Sequence, residues 1–343
     1  MMLGGLMLAG VAFLLTYGMT RRLCASDAKL RVLDLPNERS LHTTPLPRTG
    51  GLAILVSVGV VVVVSHLWWA VGDSSSLWII GSAALIGAVS FWDDRAGLPI
   101  VVRFAAHGLA AVGVIWGTGF MLHGIAVPLW GTFPLGWLAV PGTVVFLVWM
   151  TNLYNFMDGM DGFAGGMTVL GFGCWSLLAL QAGQHSLAFL SMVIAAAAGG
   201  FLAYNTPPAR IFMGDVGSIT LGFLAGVLSL QGVTDGLSDL WAPLLIFSPF
   251  VVDATVTLVR RLLRGEKVWQ AHREHYYQRL VLAGWGHRKT VRAEYLLMLA
   301  CGISAVGYVQ VSEPWRLTIL LGGMAVYAGL MWGVCRVERQ AHG

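Results

Sequence analysis

Charge is scarce in this sequence: Asp, Glu, Lys and Arg make up 11% of its 343 residues, against 57% hydrophobic residues. Too little polar surface is left for a soluble globule of this length. The mean hydropathy of +0.73 is that of a polytopic membrane protein. Cysteine is sparse too. Cys24, Cys174, Cys301 and Cys335 are scattered without Cys-x-x-Cys spacing, which excludes a disulfide framework and a zinc site of that kind. No polar stretch is long enough to fold by itself, so residues 1–343 read as a single integral domain. No internal repeat is visible, which argues against many transporter folds. The first apolar run has no basic segment before it and no Ala-x-Ala-like site after it; Arg21 and Arg22 follow instead. It reads as a retained membrane helix with its N-terminus outside, not as a cleaved signal.

What is abundant is apolar sequence in pieces of bilayer length. Runs at 2–19, 50–71, 77–92, 101–120, 137–153, 163–182, 186–204, 216–233, 240–262, 291–310 and 315–335 predict an all-α protein of about 11 transmembrane helices. With the N-terminus outside, the loops at 20–49, 93–100, 154–162, 205–215 and 263–290 and the C-terminus are cytoplasmic. Of the 21 Lys and Arg residues, every one but Arg316 falls in those segments or at the adjoining span ends. The positive-inside rule therefore selects this orientation. It also accounts for the net charge of +4 without nucleic acid as a partner.

Unusual polar residues collect in the cytoplasmic segments. The first loop holds Asp34-Leu-Pro-Asn-Glu-Arg39-Ser-Leu-His42 and Pro45-Leu-Pro-Arg48-Thr-Gly-Gly51. The third span ends in Asp93-Asp94-Arg95, with Arg103 beyond. Asn152, Asn155, Asp158 and Asp161 recur every third residue after an apolar run. Asn205-Thr-Pro-Pro precedes Phe212-Met-Gly-Asp215-Val-Gly-Ser218, and the last loop carries His272-Arg-Glu-His275-Tyr-Tyr-Gln-Arg279. Each string has an ordinary reading: Asp215 as a helix cap, Asn-Thr-Pro-Pro as a turn, the basic loop as a membrane anchor. Asp253, inside the ninth run, reads as a buried structural partner. Together they place five carboxylates, Asp93, Asp94, Asp158, Asp161 and Asp215, at one membrane depth. Crowded carboxylates call for a cation, and hard oxygen donors suit Mg²⁺, with Mn²⁺ as an alternative. Arg39, Arg48, Arg103, Arg210, Arg273 and Arg279, with His272 and His275, suit a polyanion. Metal plus basic side chains is equipment for phosphoryl transfer. A lipid flippase or transporter would instead spread its acids through the bilayer, and the signature of CDP-alcohol phosphatidyltransferases is absent.

In combination and order, Pro-Arg-x-Gly-Gly, Asp-Asp, Asn-x-x-Asn-x-x-Asp-Gly-x-Asp-Gly and Phe-Met-Gly-Asp-x-Gly-Ser resemble the polyprenyl-phosphate N-acetylhexosamine-1-phosphate transferases of glycosyltransferase family 4, which include WecA, WbpL and MraY. The resemblance runs from about Asp34 to about Arg288. MraY-type enzymes carry a Pro-x-His-His-x-x-Glu-like signature in the last loop, where this chain has Ala-His-Arg-Glu-His-Tyr-Tyr-Gln-Arg-Leu. That departure is similar to the WecA/WbpL branch and implies O-antigen or other surface-polysaccharide initiation. The resemblance implies ten or eleven transmembrane helices in the bacterial inner membrane and a cytoplasmic active site. It implies transfer of a sugar 1-phosphate from a UDP-N-acetylhexosamine to undecaprenyl phosphate with release of UMP. By matching positions it implies Asp215 as a Mg²⁺ ligand joined by Asn155, and Asp93 and Asp94 as the catalytic pair. Asn152, Asp158, Asp161, Asn205 and Phe212 fall to the nucleotide-sugar side, with Phe212 stacking on uracil. His272 and His275 join the catalytic set and, with Arg273, fall to the pyrophosphate or sugar, and Arg48 and Arg103 fall to lipid or nucleotide phosphates. A homodimer is within what the family implies.

Overall fold

The structure is a computed structural model that describes residues 2–28, 30, 32–36, 41, 44–69, 74–267, 270 and 272–342. Arg39 and His42, singled out above, lie outside the described residues. Among the described residues ten helical stretches are long and apolar enough to cross a membrane. They are built on α1 (Met2–Cys24), α2 (Gly50–Trp69), α3 (Ser74–Ala96), α4 (Ile100–Thr118), α5 (Ala139–Phe156), α6 (Phe163–Gln181), α7 (His185–Asn205), α8 (Gly214–Thr234), α12 (Gly286–Gln310) and α13 (Glu313–His342).

The remaining apolar run, 240–262, is not one helix. It forms α9 (Trp241–Ile246) and α10 (Ser248–Leu263), followed after a loop by the short α11 (Tyr276–Leu280). Pro249 stands in the first turn of α10. It has no N–H to donate to Leu245, and its ring would collide with that carbonyl. Ser248 Oγ takes over the freed Leu245 carbonyl at 2.7 Å, as buried backbone at membrane depth requires. Two small antiparallel hairpins complete the chain: β1 (Leu33–Asp34) with β2 (Leu46–Pro47), and β3 (Gly124–Val127) with β4 (Gly131–Pro134). The second sits between α4 and α5 and is pinned by Trp241 Nε1 donating to the Ala126 carbonyl at 2.6 Å.

Helix α8 is the axis of the bundle: 94% of its apolar stretch is buried, against 6% for α13 at the edge. Helices α2, α3 and α5 pack directly on it. Close approach is possible because α8 carries glycine at the contacts. A Cβ at Gly222 would lie 2.5 Å from the Met150 carbonyl oxygen of α5, and one at Gly232 would lie 2.3 Å from the Trp175 ring. In lipid, where apolar burial gives helices no net reason to associate, such contacts are what holds them.

Candidate functional site

Two glycine-rich strings start the construction. Gly50 N donates to the Phe212 carbonyl at 3.0 Å, Gly51 N to the Met213 carbonyl at 2.8 Å, and Phe212 N to the Pro47 carbonyl at 2.7 Å. The starts of α2 and α8 are thereby zipped together. A Cβ on Gly51 would sit 2.2 Å from the backbone of Gly217, and one on Gly214, at φ +71°, would sit 2.0 Å from the Arg48 carbonyl oxygen. Pro-Arg-x-Gly-Gly and Met-Gly-Asp-x-Gly-Ser are thus two halves of one contact, and Arg48 and Asp215 are its outward products.

Arg48 reaches from this contact to the end of α3. Its Nη2 donates to the Asp94 carbonyl oxygen at 2.9 Å and lies 3.4 Å from the Asp94 carboxylate. The Asp94 side chain is buried, and its Oδ2 has no hydrogen-bond partner. Asp93 is different. Its Oδ1 accepts from Leu98 N at 2.6 Å and its Oδ2 pairs with Arg103 Nη1 at 3.0 Å. Asp93 and Asp94, expected together as the catalytic pair, are held differently: Asp93 braces the α3–α4 turn, and of the two only Asp94 keeps an oxygen without a partner.

Asp215, at the start of α8, feels the charges of Arg48, Asp93, Arg103 and Asp34. Asp94 in turn feels Asp215, Arg48, Asp93 and Asp34. Asp158, in the loop after α5, is held well above the usual carboxylate range, first by burial and then by Asp215 and Asp34. Asp34, Asp94, Asp158 and Asp215 therefore lie within electrostatic reach of one another at one end of the bundle, with Arg48 and Arg103 beside them. Asn155 stands beside them, its Oδ1 accepting from Ser218 Oγ at 2.8 Å.

A metal ion suits this donor set in a limited way. Among the described residues no three His, Cys, Asp or Glu side chains are grouped as metal ligands. The unsatisfied Asp94 Oδ2 and an Asp215 carboxylate without a hydrogen bond among the described residues leave hard oxygen donors available. Asn155 Oδ1 retains a second lone pair. One or two carboxylates completed by water and substrate phosphate is the usual shell of Mg²⁺.

Other expected residues are placed elsewhere. Asp161 does not join the cluster: its Oδ1 lies 3.1 Å from His287 Nδ1 and its Oδ2 accepts from Ala209 N at 3.0 Å. Asn205 is spent on scaffold, accepting from Gly162 N at 3.0 Å and donating to the Ile211 carbonyl at 2.8 Å. Tyr295 Oη donates to the Gly162 carbonyl at 2.7 Å and Tyr277 Oη to the Phe156 carbonyl at 3.3 Å. These bonds hold the 157–162 loop from outside so that Asp158 points at the cluster. Asn152 donates to the Val148 carbonyl and faces an apolar groove of about 670 Å³ between α4, α5 and α10, with Phe104, Val148, Trp149, Phe156 and Leu258. Phe212 is half-buried, with its backbone bound into the α2–α8 contact.

The last loop is organised by Asp253. Its carboxylate accepts from His275 Nδ1 at 3.2 Å, Tyr276 N at 3.0 Å, Tyr277 N at 3.1 Å and Thr257 Oγ1 at 3.1 Å. His275 is buried against Phe156, ring to ring at 6.3 Å, and His272 lies 4.8 Å from His275. His275 is therefore a joint between this loop and the acidic segment, not a free catalytic base. Burial, with His275 and Arg261 adding to it, pushes the half-buried His272 down to about 4. It is a neutral imidazole at physiological pH. Arg273 is exposed and lines a cleft with Arg260, Arg264 and Arg279. Asp34 and His287 were not singled out as site residues by the sequence. Asp34 carries a signal only in hindsight of the β1–β2 pairing, and His287 carries none.

A bundle of membrane-length helices with one polar end, built from acids and arginines, defines a multi-pass membrane protein with a one-sided polar site. Residues 76–233 match the family described as glycosyl transferase family 4. A probable undecaprenyl-phosphate N-acetylglucosaminyl 1-phosphate transferase of Bacillus subtilis (strain 168) is 34% identical over 281 residues, 81% of this chain and 77% of that one. A decaprenyl-phosphate N-acetylglucosaminephosphotransferase of Mycobacterium tuberculosis (strain ATCC 25618 / H37Rv) is 30% identical over 346 residues, 92% of this chain and 85% of that one. A phospho-N-acetylmuramoyl-pentapeptide-transferase of Lacticaseibacillus paracasei is 28% identical over 258 residues, 70% of this chain and 76% of that one. The chain belongs to glycosyl transferase family 4, among the transferases of phosphosugars to polyprenyl phosphates.

Proposed function

We propose that the protein transfers N-acetylhexosamine 1-phosphate from a UDP-sugar to undecaprenyl phosphate, releasing UMP and forming the lipid-linked sugar pyrophosphate that starts a surface polysaccharide such as O-antigen. The observation that carries this reading is adjacency. The cluster of Asp34, Asp94, Asp158 and Asp215 with Arg48 and Arg103 stands at the end of the same α5 whose outer face lines the apolar groove. A polar phosphate site and an apolar channel of bilayer depth are what a reaction between a nucleotide sugar and a lipid phosphate needs. The names of the relatives agree with it, and N-acetylglucosamine is the first donor to test.

In this reading the prenyl chain lies in the groove against Phe104, Val148, Trp149 and Leu258, and its phosphate meets Arg103 and Arg48. The phosphate needs little help to lose its proton, since a phosphomonoester has a second pKa of about 6. One of its oxygens attacks the sugar-bearing phosphorus in line; that P–O bond forms as the bond to UMP breaks. Asp94, with a free oxygen and an arginine against the other, orients the attacking phosphate. Neutral His272 offers a hydrogen bond to the donor without repelling or attracting charge. A Mg²⁺ held by Asp215 and Asn155 would supply neutralisation of the pyrophosphate. In this reading the active site lies on the cytoplasmic side of the inner membrane, which the distribution of Lys and Arg supports.

The test is direct. Purified protein, undecaprenyl phosphate and a panel of labelled UDP-sugars, including the muramoyl pentapeptide donor, are incubated with and without Mg²⁺. Label in the lipid extract matched by UMP supports the proposal. Transport of a substrate without such transfer sinks it.

A further inference from the structure

We infer that an arginine cleft on the α10–α11–α13 side of the molecule binds the phosphate headgroup of an anionic glycerophospholipid of the surrounding bilayer. The cleft has a volume of about 350 Å³ and is lined by Arg260, Arg264, Arg273 and Arg279 against only two acids, Glu274 and Glu338. Those acids are already used. Arg264 pairs with Glu274, and Arg279 Nε with Glu338 at 2.7 Å. Arg260 has no carboxylate partner among the described residues; it donates to Tyr276 Oη at 2.8 Å and lies over that ring. Arg273 is exposed and has no ion pair among the described residues. Two guanidiniums are thus left to an external anion, and arginine presents the planar donor fork that phosphate oxygens accept.

The surroundings identify the anion as a lipid. Leu263 is 82% exposed, Leu262 64% and Leu282 52%, and these leucines adjoin the arginines in sequence or line the cleft with them. Exposed leucines beside arginines at the end of α10 suit a charged headgroup and the start of its acyl chain. An apolar cavity of about 470 Å³ adjoins α11, lined by Leu280, Leu297, Leu330, Val334 and Val337. Consecutive residues line the two spaces: Arg279 and Glu338 the cleft, Leu280 and Val337 the cavity. Asp253 and Glu294 also line the cavity, and no arginine or lysine among its lining residues is there to pair with a phosphate. The phosphate therefore belongs among the arginines, and only the chain enters the cavity. None of Asp34, Asp94, Asp158 and Asp215 lines either space, so this is not the transfer site.

The test uses the full chain in nanodiscs of phosphatidylcholine doped with phosphatidylglycerol, read by native mass spectrometry for lipid retained on the protein. Wild type is expected to retain phosphatidylglycerol preferentially. Arg260→Gln with Arg273→Gln should lower that retention about thirtyfold, each arginine near a membrane surface being worth roughly fivefold. Arg260→Lys with Arg273→Lys, which keeps the charge, should restore most of it. Equal retention of the two lipids by wild type, or no loss in the glutamine pair, would overturn the inference. So would displacement of phosphatidylglycerol from wild type by inorganic phosphate or UMP, which would make this a soluble-anion site. Displacement by undecaprenyl phosphate would instead assign the cleft to the acceptor and overturn it too. The competition arms use wild type alone, so they stand even where a variant fails to fold.

Discussion

At the scale of single residues, neighbours that look equivalent in the sequence are not. Asp93 and Asp94 differ because one has both oxygens satisfied and the other does not. Asp94→Asn is therefore expected to lower kcat by about 10²–10³-fold, the usual cost of a lost electrostatic group at a reacting centre, with the melting temperature kept. Asp93→Asn should lower the melting temperature and activity together, because it loosens the turn that Leu98 and Arg103 close. Melting curves and steady-state kinetics on both variants separate the two roles; the same profile for both would refute the distinction. Asp215→Asn should abolish transfer while the protein still inserts and folds. His272 makes a prediction in pH. Its pKa lies at about 4, below the usual 6.5, so between those values the unfolded chain binds more protons at this site than the fold does. Its contribution to stability is thus present above pH 6.5 and lost as pH falls towards 4. The pH–rate profile should show no acid limb from this histidine near neutrality. His272→Ala should raise KM for the donor more than KM for the lipid, and His272→Gln less so. An acid limb near pH 6.5 that vanishes in His272→Gln would contradict this. Part of the cluster was legible in the residue strings, since Asp94 and Asp158 both lie within electrostatic reach of Asp215. Asp34 was not, because its position depends on a two-residue hairpin. The scaffold bonds of Asp161 and Asn205 were not legible, because a polar side chain at membrane depth serves equally well to satisfy a buried backbone, and spacing alone cannot separate that duty from binding.

At the scale of elements, the site is made by helix ends that must touch. The starts of α2 and α8 come so close that a methyl on Gly51 would meet the backbone of Gly217 at 2.2 Å. Backbone cannot move aside as a flexible side chain does. Gly51→Ala is expected to destabilise the protein by about 1–3 kcal/mol, and to displace Arg48 and Asp215, costing activity at temperatures where the protein is still folded. Thermal unfolding in detergent checks the first effect and kinetics well below the midpoint the second. Gly59→Ala is the control, because a Cβ there meets nothing closer than 3.8 Å. Wild-type stability in Gly51→Ala would show that the α2–α8 contact is loose. The helices themselves were readable from hydropathy because bilayer thickness sets their length. The break between α9 and α10 was hidden, since an apolar count treats Pro249 as one more uncharged residue. What decides there is a missing N–H, not a polarity.

At the scale of the whole molecule, the arrangement separates two approaches to one reaction. The buried axis α8 delivers Asp215 to the polar end, where in the proposed reaction the soluble donor would bind. In the proposed reaction the acceptor's prenyl chain would reach that end along the groove between α4, α5 and α10. Asn152 and Phe156, a turn apart on α5, line that groove, and Asn155 and Asp158 of the same string face the cluster. One string of polar residues thus carries both approaches. Filling the groove should then act on one substrate alone. Val148 is half-buried on the groove wall, away from every carboxylate of the cluster. Val148→Trp is expected to raise KM for undecaprenyl phosphate by about tenfold, the equivalent of roughly 1.4 kcal/mol of lost binding, with KM for the UDP-sugar unchanged. Shortened acceptors give the matching control. A polyprenyl phosphate too short to reach Val148 should be used equally well by the variant and the wild type, because only the long chain meets the added ring. If Val148→Trp instead raises both KM values, or penalises short and long acceptors alike, the prenyl chain does not lie between α4 and α5, and the approach along the groove is wrong.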